Sequence, residues 1–156
     1  MISERFKPLS EPRTRRYVIV DTNMGVSWWA VEQACKSPDS VCYFPSSVLS
    51  EMRPVTGRMP FEMPVPRGVE VAEPTDRERG VVRRVCVEEA GLRLSPADVD
   101  VVASALRLKQ SGFNAVVYSD DDGVNVCAAL LGIETLKRPP RHVLARAASR
   151  AGRVVR

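Results

Sequence analysis

Runs of β-branched and aromatic residues alternate along the chain with stretches whose apolar residues recur at helical spacing. Strand-like runs lie at 17–20, 41–44, 69–72, 114–118 and 133–136, with valine and isoleucine supplying much of the signal. Between them, residues 24–37 (MGVSWWAVEQACKS) carry apolar residues at mixed helical spacing. Ser46 opens SSVLSEM as a helix N-cap, and Pro54 stops that segment. In TDRERGVVRRVCVEEAG, Val81, Val82, Val85 and Ala90 fall near one face, and Gly91 ends the run. SPADVDVVASALRLKQSG has Ser95 as N-cap, Pro96 at the first helical position and Gly112 as a stop. Its Val101, Val102, Ala105, Leu106 and Leu108 form an apolar side. GVNVCAALLG (123–132) reads as a short apolar helix. Residues 53–68 hold four prolines and two glycines and read as a loop within one domain.

Strands that alternate with helices predict an α/β fold, a parallel sheet covered on both faces. The length, 156 residues, suits one domain with a real core. Residues 1–16 read as a lead-in, 17–136 as the domain, and 137–156 as a basic tail with helical spacing. No apolar run approaches the roughly 18 residues of a membrane span, and the charged start, MISERFKPLSEPRTRR, does not resemble a secretory signal. Cys35, Cys42, Cys86 and Cys127 lie far apart without a CxxC pair, and His142 is the only histidine. That pattern lacks zinc-site spacing and predicts no disulfide framework, with reduced, buried thiols in a cytoplasm.

Charge adds a direction. The net charge is +4, and no acidic residue follows Glu134. Lys137, Arg138, Arg141, Arg146, Arg150, Arg153 and Arg156 all do. Such a tail suits a polyanion, against the plainer reading of a solvated terminus. As a helix, 141–156 would set Val143, Ala147 and Ala151 on one stripe and Arg146, Arg150 and Arg153 on another face.

The carboxylates fall at the ends of the strand-like runs. Asp21 directly follows the first. Glu51 sits one turn into the helix after the second. Asp120, Asp121 and Asp122 directly follow the fourth, and Asp98 lies in the first turn of the helix before it. In a parallel sheet the functional crevice lies beyond the carboxyl ends of the strands. Each acid has a local alternative: Asp21 as an N-cap, Glu51 as a solvated helix residue, Asp98 as the partner of Ser95 in a capping box, the triple aspartate as a turn. Grouped at one edge, these anions would repel each other and raise each other's pKa. A divalent cation resolves the conflict. All-oxygen ligands suit Mg²⁺ or Mn²⁺, which polarise a phosphoryl oxygen and lower the pKa of a bound water. Neither GxxxxGK[ST] nor GxGxxG is present, which disfavours a P-loop or dinucleotide enzyme.

Four segments, VIVDTN, FPSSVLSEM, RLSPADVDVVASALRL and AVVYSDDDGVNVCAALLGI, resemble in order the signature segments of PIN domains, over about residues 17 to 136. The resemblance implies a PIN-like three-layer fold with a central parallel sheet of about five strands flanked by helices. It implies a Mg²⁺- or Mn²⁺-dependent endoribonuclease acting on single-stranded RNA. By position, Asp21, Glu51, Asp98 and Asp121 match the family's acids, Asp120 the adjacent acid of its "TDD" variant, and Ser119 its turn threonine. Asn23 resembles the polar residue that supports Asp21. Asp100 and Asp122 have no counterpart, and Asp100 should face away from Asp98, about 200° on. The basic residues Arg138, Arg141, Arg146, Arg150 and Arg153 are the candidate RNA contacts. The last two segments look most like the archaeal branch that includes the small-subunit ribosome-maturation nuclease, without its zinc ribbon, so rRNA processing is one expected role. A toxin-type ribonuclease with an antitoxin partner, homodimeric as such toxins usually are, is another. A third is a PIN-fold RNA-binding or assembly module that cleaves nothing. None of these readings includes a membrane partner.

Overall fold

The structure, a computed structural model, describes residues 16–21, 39–51, 69–71 and 73–154, with the side chains of 49–51 and 69–71 left out of the description. The expected helix at 24–37, Asn23, the proline-rich segment 53–68 and nearly all of the lead-in lie outside these residues.

The strands are β1 (Arg16–Val20), β2 (Ser40–Phe44), β3 (Val69–Val71), β4 (Asn114–Tyr118) and β5 (Glu134–Thr135). They form one parallel sheet in the order β3-β2-β1-β4-β5. A central parallel strand is buried on both faces, so it reads as a continuous apolar run. This is why Tyr17–Val20 and Val41–Phe44 are apolar throughout and essentially inaccessible. Tyr17 stacks on Tyr43 at 5.6 Å and meets Phe113 at 5.4 Å, tying β1 to its neighbour and to the turn before β4. Aromatic pairs at such distances add about 0.5–1.5 kcal/mol each beyond burial.

The helices are α1 (Ser46–Glu51), α2 (Asp76–Val82), α3 (Pro96–Gln110), α4 (Asp122–Leu130) and α5 (Arg141–Arg150). Helix α1 begins at Ser46 itself, one residue earlier than an N-cap at that position implies. Helix α2 runs on without a break into a π-helical stretch, Arg83–Glu89. The buried positions explain the wider turn. Glu78, Val82, Cys86 and Ala90 recur every four residues, a spacing that drifts one way around an α-helix and the other way where the turn widens, so the change of turn keeps them near one face. Helix α3 packs against α1, α2, α4, β1 and β4. It is therefore buried nearly all round, from Ala97 to Leu106, with Asp98 the exception at its start. A helix of this kind carries no clean polar face. Helix α5 adds Ala147 and Ala148 to the core, with Val143, Leu144 and Ala151 packed alongside.

The order of the strands marks a switch point. From β1 the chain moves outward to β2 and β3; from β4 it moves outward to β5 on the other side. The switch lies between β1 and β4, which pair along their whole length up to Val20 and Tyr118. A crevice for ligands opens beyond the carboxyl ends of the strands at such a point.

The cysteines overturn one expectation from sequence. Cys86 and Cys127 are joined by a disulfide with Cα atoms 5.4 Å apart, and Cys42 is disulfide-bonded as well. Reduced thiols without a disulfide framework are therefore not what the chain adopts. The physical reason is the packing of the π-helical stretch on α4, which brings together two buried cysteines 41 positions apart. No spacing rule in the sequence registers that proximity. Among the described residues, no helix is long and apolar enough to cross a membrane.

Candidate functional site

At the switch point the end of β1 and the end of β4 are joined through Ser119. The Asp21 backbone N–H donates to the Tyr118 carbonyl at 3.0 Å, which extends the ladder one step past β1. Ser119 Oγ donates to Asp21 Oδ2 at 2.5 Å and accepts from the Asp121 backbone N–H at 2.9 Å. Both Asp21 and Ser119 are buried. A hydrogen bond to an ionised acceptor contributes about 1.5–3 kcal/mol, enough to fix the rotamer of both side chains. Asn125, one turn into α4, donates through Nδ2 to the Ser119 carbonyl at 3.0 Å. Its Oδ1 is buried with no hydrogen-bond partner among the described residues. Sequence reasoning missed Asn125; its signal is a lone carboxamide in the apolar run GVNVCAALLG.

Asp121 is the N-cap of α4. Its Oδ1 accepts from Gly123 N–H at 2.7 Å and Val124 N–H at 3.2 Å. A Cβ added at Gly123 would meet that same oxygen at 3.0 Å, Leu94 Cδ2 at 3.6 Å and the Arg93 carbonyl at 3.7 Å. The missing side chain thus leaves room for the Asp121 carboxylate, and the segment entering α3 lies within van der Waals range of the start of α4. Asp120 points elsewhere: it is about half exposed and paired with Lys137.

Asp98 stands at the start of α3. Its Oδ2 accepts from Ser95 N–H at 2.9 Å, and Ser95 Oγ accepts from Asp98 N–H at 3.1 Å. This reciprocal capping box satisfies two orphan N–H groups of the helix. Because α3 leads into β4 from above, its N-terminus lies at the same edge as Asp21 and Asp121, as the contact of Arg93 and Leu94 with Gly123 shows.

Two residues on, Asp100 is buried and faces α1 and α2. Ser47 Oγ donates to its Oδ2 at 2.6 Å, and Arg79 Nε donates to its Oδ1 at 2.7 Å. The bond to Asp100 raises the Arg79 pKa above the usual arginine value, against the opposing effect of burial. Arg79 also reaches Asp76 at 3.2 Å and Glu73 at 3.9 Å. Glu73 Oε1 in turn accepts from Ser46 N–H at 2.8 Å. Asp100 is therefore the anchor that ties α1 to α3. Helix α1 ends at Glu51; the Glu51 side chain lies outside the description.

The basic residues divide by role. Arg153 Nη1 donates to the Leu130 carbonyl at 3.4 Å and so covers the end of α4. Arg138, Arg141, Arg146 and Arg150 are exposed, and no ion pair holds any of the four among the described residues.

The structure thus joins Asp21 to the Asp121 backbone through Ser119 and brings the Asp98 helix start to the same edge, while Asp120 turns to Lys137. The donors are carboxylate oxygens, which fit a hard divalent cation. Among the described residues, no three acidic, histidine or cysteine side chains form a group that could hold one metal ion. No protein-family model matches the chain, and no curated protein matches it.

Proposed function

We propose that the chain is a PIN-like, metal-dependent endoribonuclease that hydrolyses phosphodiester bonds in single-stranded RNA, with rRNA processing or a toxin–antitoxin pair as its setting. One observation carries the reading: a buried carboxylate at the end of β1 is held by Ser119 beside Asp121, at the switch point of a parallel sheet. Burying a carboxylate costs several kcal/mol unless its partners offset the loss of water, so a fold that keeps one at this edge has a use for it. In this proposal Asp21, Asp98 and Asp121, with Glu51, would hold Mg²⁺ or Mn²⁺, while Asp120, expected from the sequence as a further ligand, is turned to Lys137. When bound, such an ion supplies positive charge to a phosphoryl oxygen and eases deprotonation of water. The protein's own part is positional. Ser119 fixes the orientation of Asp21, the capping bonds fix Asp98 and Asp121, and the Ser47–Asp100–Arg79 cluster sets α1 against α3. Asn23, outside the described residues, would support Asp21 as the resemblance implies. The exposed arginines of the C-terminal segment draw the RNA backbone toward this edge. A cytoplasmic location belongs to the same proposal; with structural disulfides, it points to the kind of cytoplasm that keeps them, as in hyperthermophiles.

A second reading has its own support. Asp98 Oδ2 and Asp121 Oδ1 are already engaged in capping bonds, which suits a PIN-fold RNA-binding module that cleaves nothing. One assay separates the two: end-labelled single-stranded RNA incubated with the purified protein in Mn²⁺, Mg²⁺ or EDTA. The nuclease reading expects internal cleavage with either metal and none in EDTA. Intact RNA under all three conditions, with binding retained, supports the module instead.

A further inference from the structure

A cavity of about 210 Å³ opens between α5 and the turn that follows the π-helical stretch. Its walls are Ala90, Leu92, Val143 and Ala147, and its rim carries Arg146 and Arg150. The two arginines are one helical turn apart, so their guanidinium groups rise from the same face of α5. Helix α5 contains no acid that could pair with them in cis. Glu88 and Glu89 are exposed nearby on the preceding helix, yet neither forms an ion pair with these arginines. The position of Arg150 is prepared by the backbone. Gly91 has φ +74°, and a Cβ there would lie 2.8 Å from Arg150 Nη1. Glycine both takes the left-handed turn and leaves room for the guanidinium against the chain.

We propose that this cavity is a subsite for one nucleotide of a bound RNA strand, outside the carboxylate edge. Arg146 and Arg150 take the phosphate, and the apolar walls take the face of the base or ribose. The chemistry fits in three ways. The rim is doubly cationic, with no ion pair to either arginine among the described residues. The floor is apolar. The volume lies below the roughly 300–1,000 Å³ that encloses a drug-sized ligand, which restricts the occupant to about one ring or one sugar. Position adds a fourth point. Gly91 is two residues from Arg93, at most about 7 Å of chain. The Arg93 carbonyl in turn borders Gly123 at the start of α4, next to Asp121. Arg93 is itself exposed. A strand crossing the carboxylate edge therefore meets Arg93 and then the cavity. The inference rests on the RNA reading above and deepens it by giving the strand a path.

The test uses the full chain and a short fluorescein-labelled oligouridylate in EDTA, so that binding is measured without cleavage. Fluorescence polarisation is recorded over a series of salt concentrations for wild type, the double variant Arg146→Gln/Arg150→Gln, and the control Arg84→Gln, an exposed arginine on the π-helical stretch. Single-strand contacts contribute about 0.7 each to the log–log salt slope. The double variant is expected to bind on the order of tenfold more weakly at low salt and to flatten the slope by about 1.4, with Arg84→Gln close to wild type. Oligouridylate carrying 4-thiouridine should crosslink to the α5 peptide or to the peptide containing Leu92. A slope unchanged by the double variant, or a loss matched by Arg84→Gln, overturns the subsite. Crosslinks that avoid both peptides overturn it too, and an acidic protein partner is then the better occupant. The outcome is independent of catalysis: a protein that binds as expected but never cleaves keeps the subsite and loses the nuclease.

Discussion

Replacing Asp100 with asparagine isolates the anchor between α1 and α3. The change preserves volume but leaves one carbonyl oxygen where two carboxylate oxygens accept from Ser47 at 2.6 Å and Arg79 at 2.7 Å. One of these bonds is lost, and the positive charge on Arg79 loses its closest counterion. Removing one partner of a fully buried ion pair costs about 3–5 kcal/mol. The Arg79 side chain is 23% exposed and keeps Asp76 and Glu73 within 4 Å, so water and these neighbours absorb part of that cost. The expected loss is about 2 kcal/mol. At about 2–4 °C per kcal/mol for a chain of this size, the melting temperature should fall by roughly 4–8 °C. Urea unfolding measures the same quantity, with the slope m unchanged if the fold is retained. A double-mutant cycle with Arg79→Met completes the test: the paired variant should be less destabilised than the sum of the single changes, by about 1–2 kcal/mol. A loss below about 0.5 kcal/mol for Asp100→Asn, with no coupling to Arg79, refutes the anchoring role.

The Cys86–Cys127 bridge and the Asp98 capping box can be tested in the same way. Opening the Cys86–Cys127 bridge with Cys86→Ala/Cys127→Ala frees a loop of about 41 residues, for which the chain-entropy estimate is a loss of about 4 kcal/mol; thermal melting of the variant beside wild type should show it, and an unchanged melting temperature would remove the bridge from the stability of the domain. Asp98→Asn retains an oxygen for the Ser95 N–H, so stability should drop by about 1 kcal/mol or less, while metal-dependent RNA cleavage is lost. A destabilised variant that cleaves at the wild-type rate assigns Asp98 to capping alone.

Some of this architecture is legible in the sequence because its causes are local. YVIV and the run VCYF read as strands because both faces of a central parallel strand are buried, leaving no polar alternation to interpret. Ser95, Pro96 and Gly112 bracket α3 closely, each through its own backbone preference; Gly112 has φ +89°. The convergence of Asp21 and Asp121 on one edge follows from parallel strands sharing a carboxyl end. The missed features are the non-local ones. Asp100 looks like a second acid on the far side of the Asp98 helix, because its partners stand 21 and 53 residues away. The π-helical stretch hides because a four-residue apolar spacing is close to that of an α-helix. The bridge from Cys86 to Cys127 depends on how two helices pack, and each cysteine alone reads as a small apolar residue.

Asp21 is where the account is most exposed, and single-turnover cleavage of end-labelled single-stranded RNA in Mn²⁺ by Asp21→Asn, beside wild type, is the measurement that tests it. Asparagine keeps the shape and an oxygen for Ser119 but removes the charge. Even partners one step removed from a metal contribute 10- to 100-fold, so loss of a direct ligand should lower the rate by at least about a hundredfold. The melting temperature of the variant in EDTA should stay at or above that of wild type, since one carboxylate fewer repels its neighbours. Cleavage by Asp21→Asn at the wild-type rate, from a folded protein, would contradict the assignment of this edge as the catalytic centre.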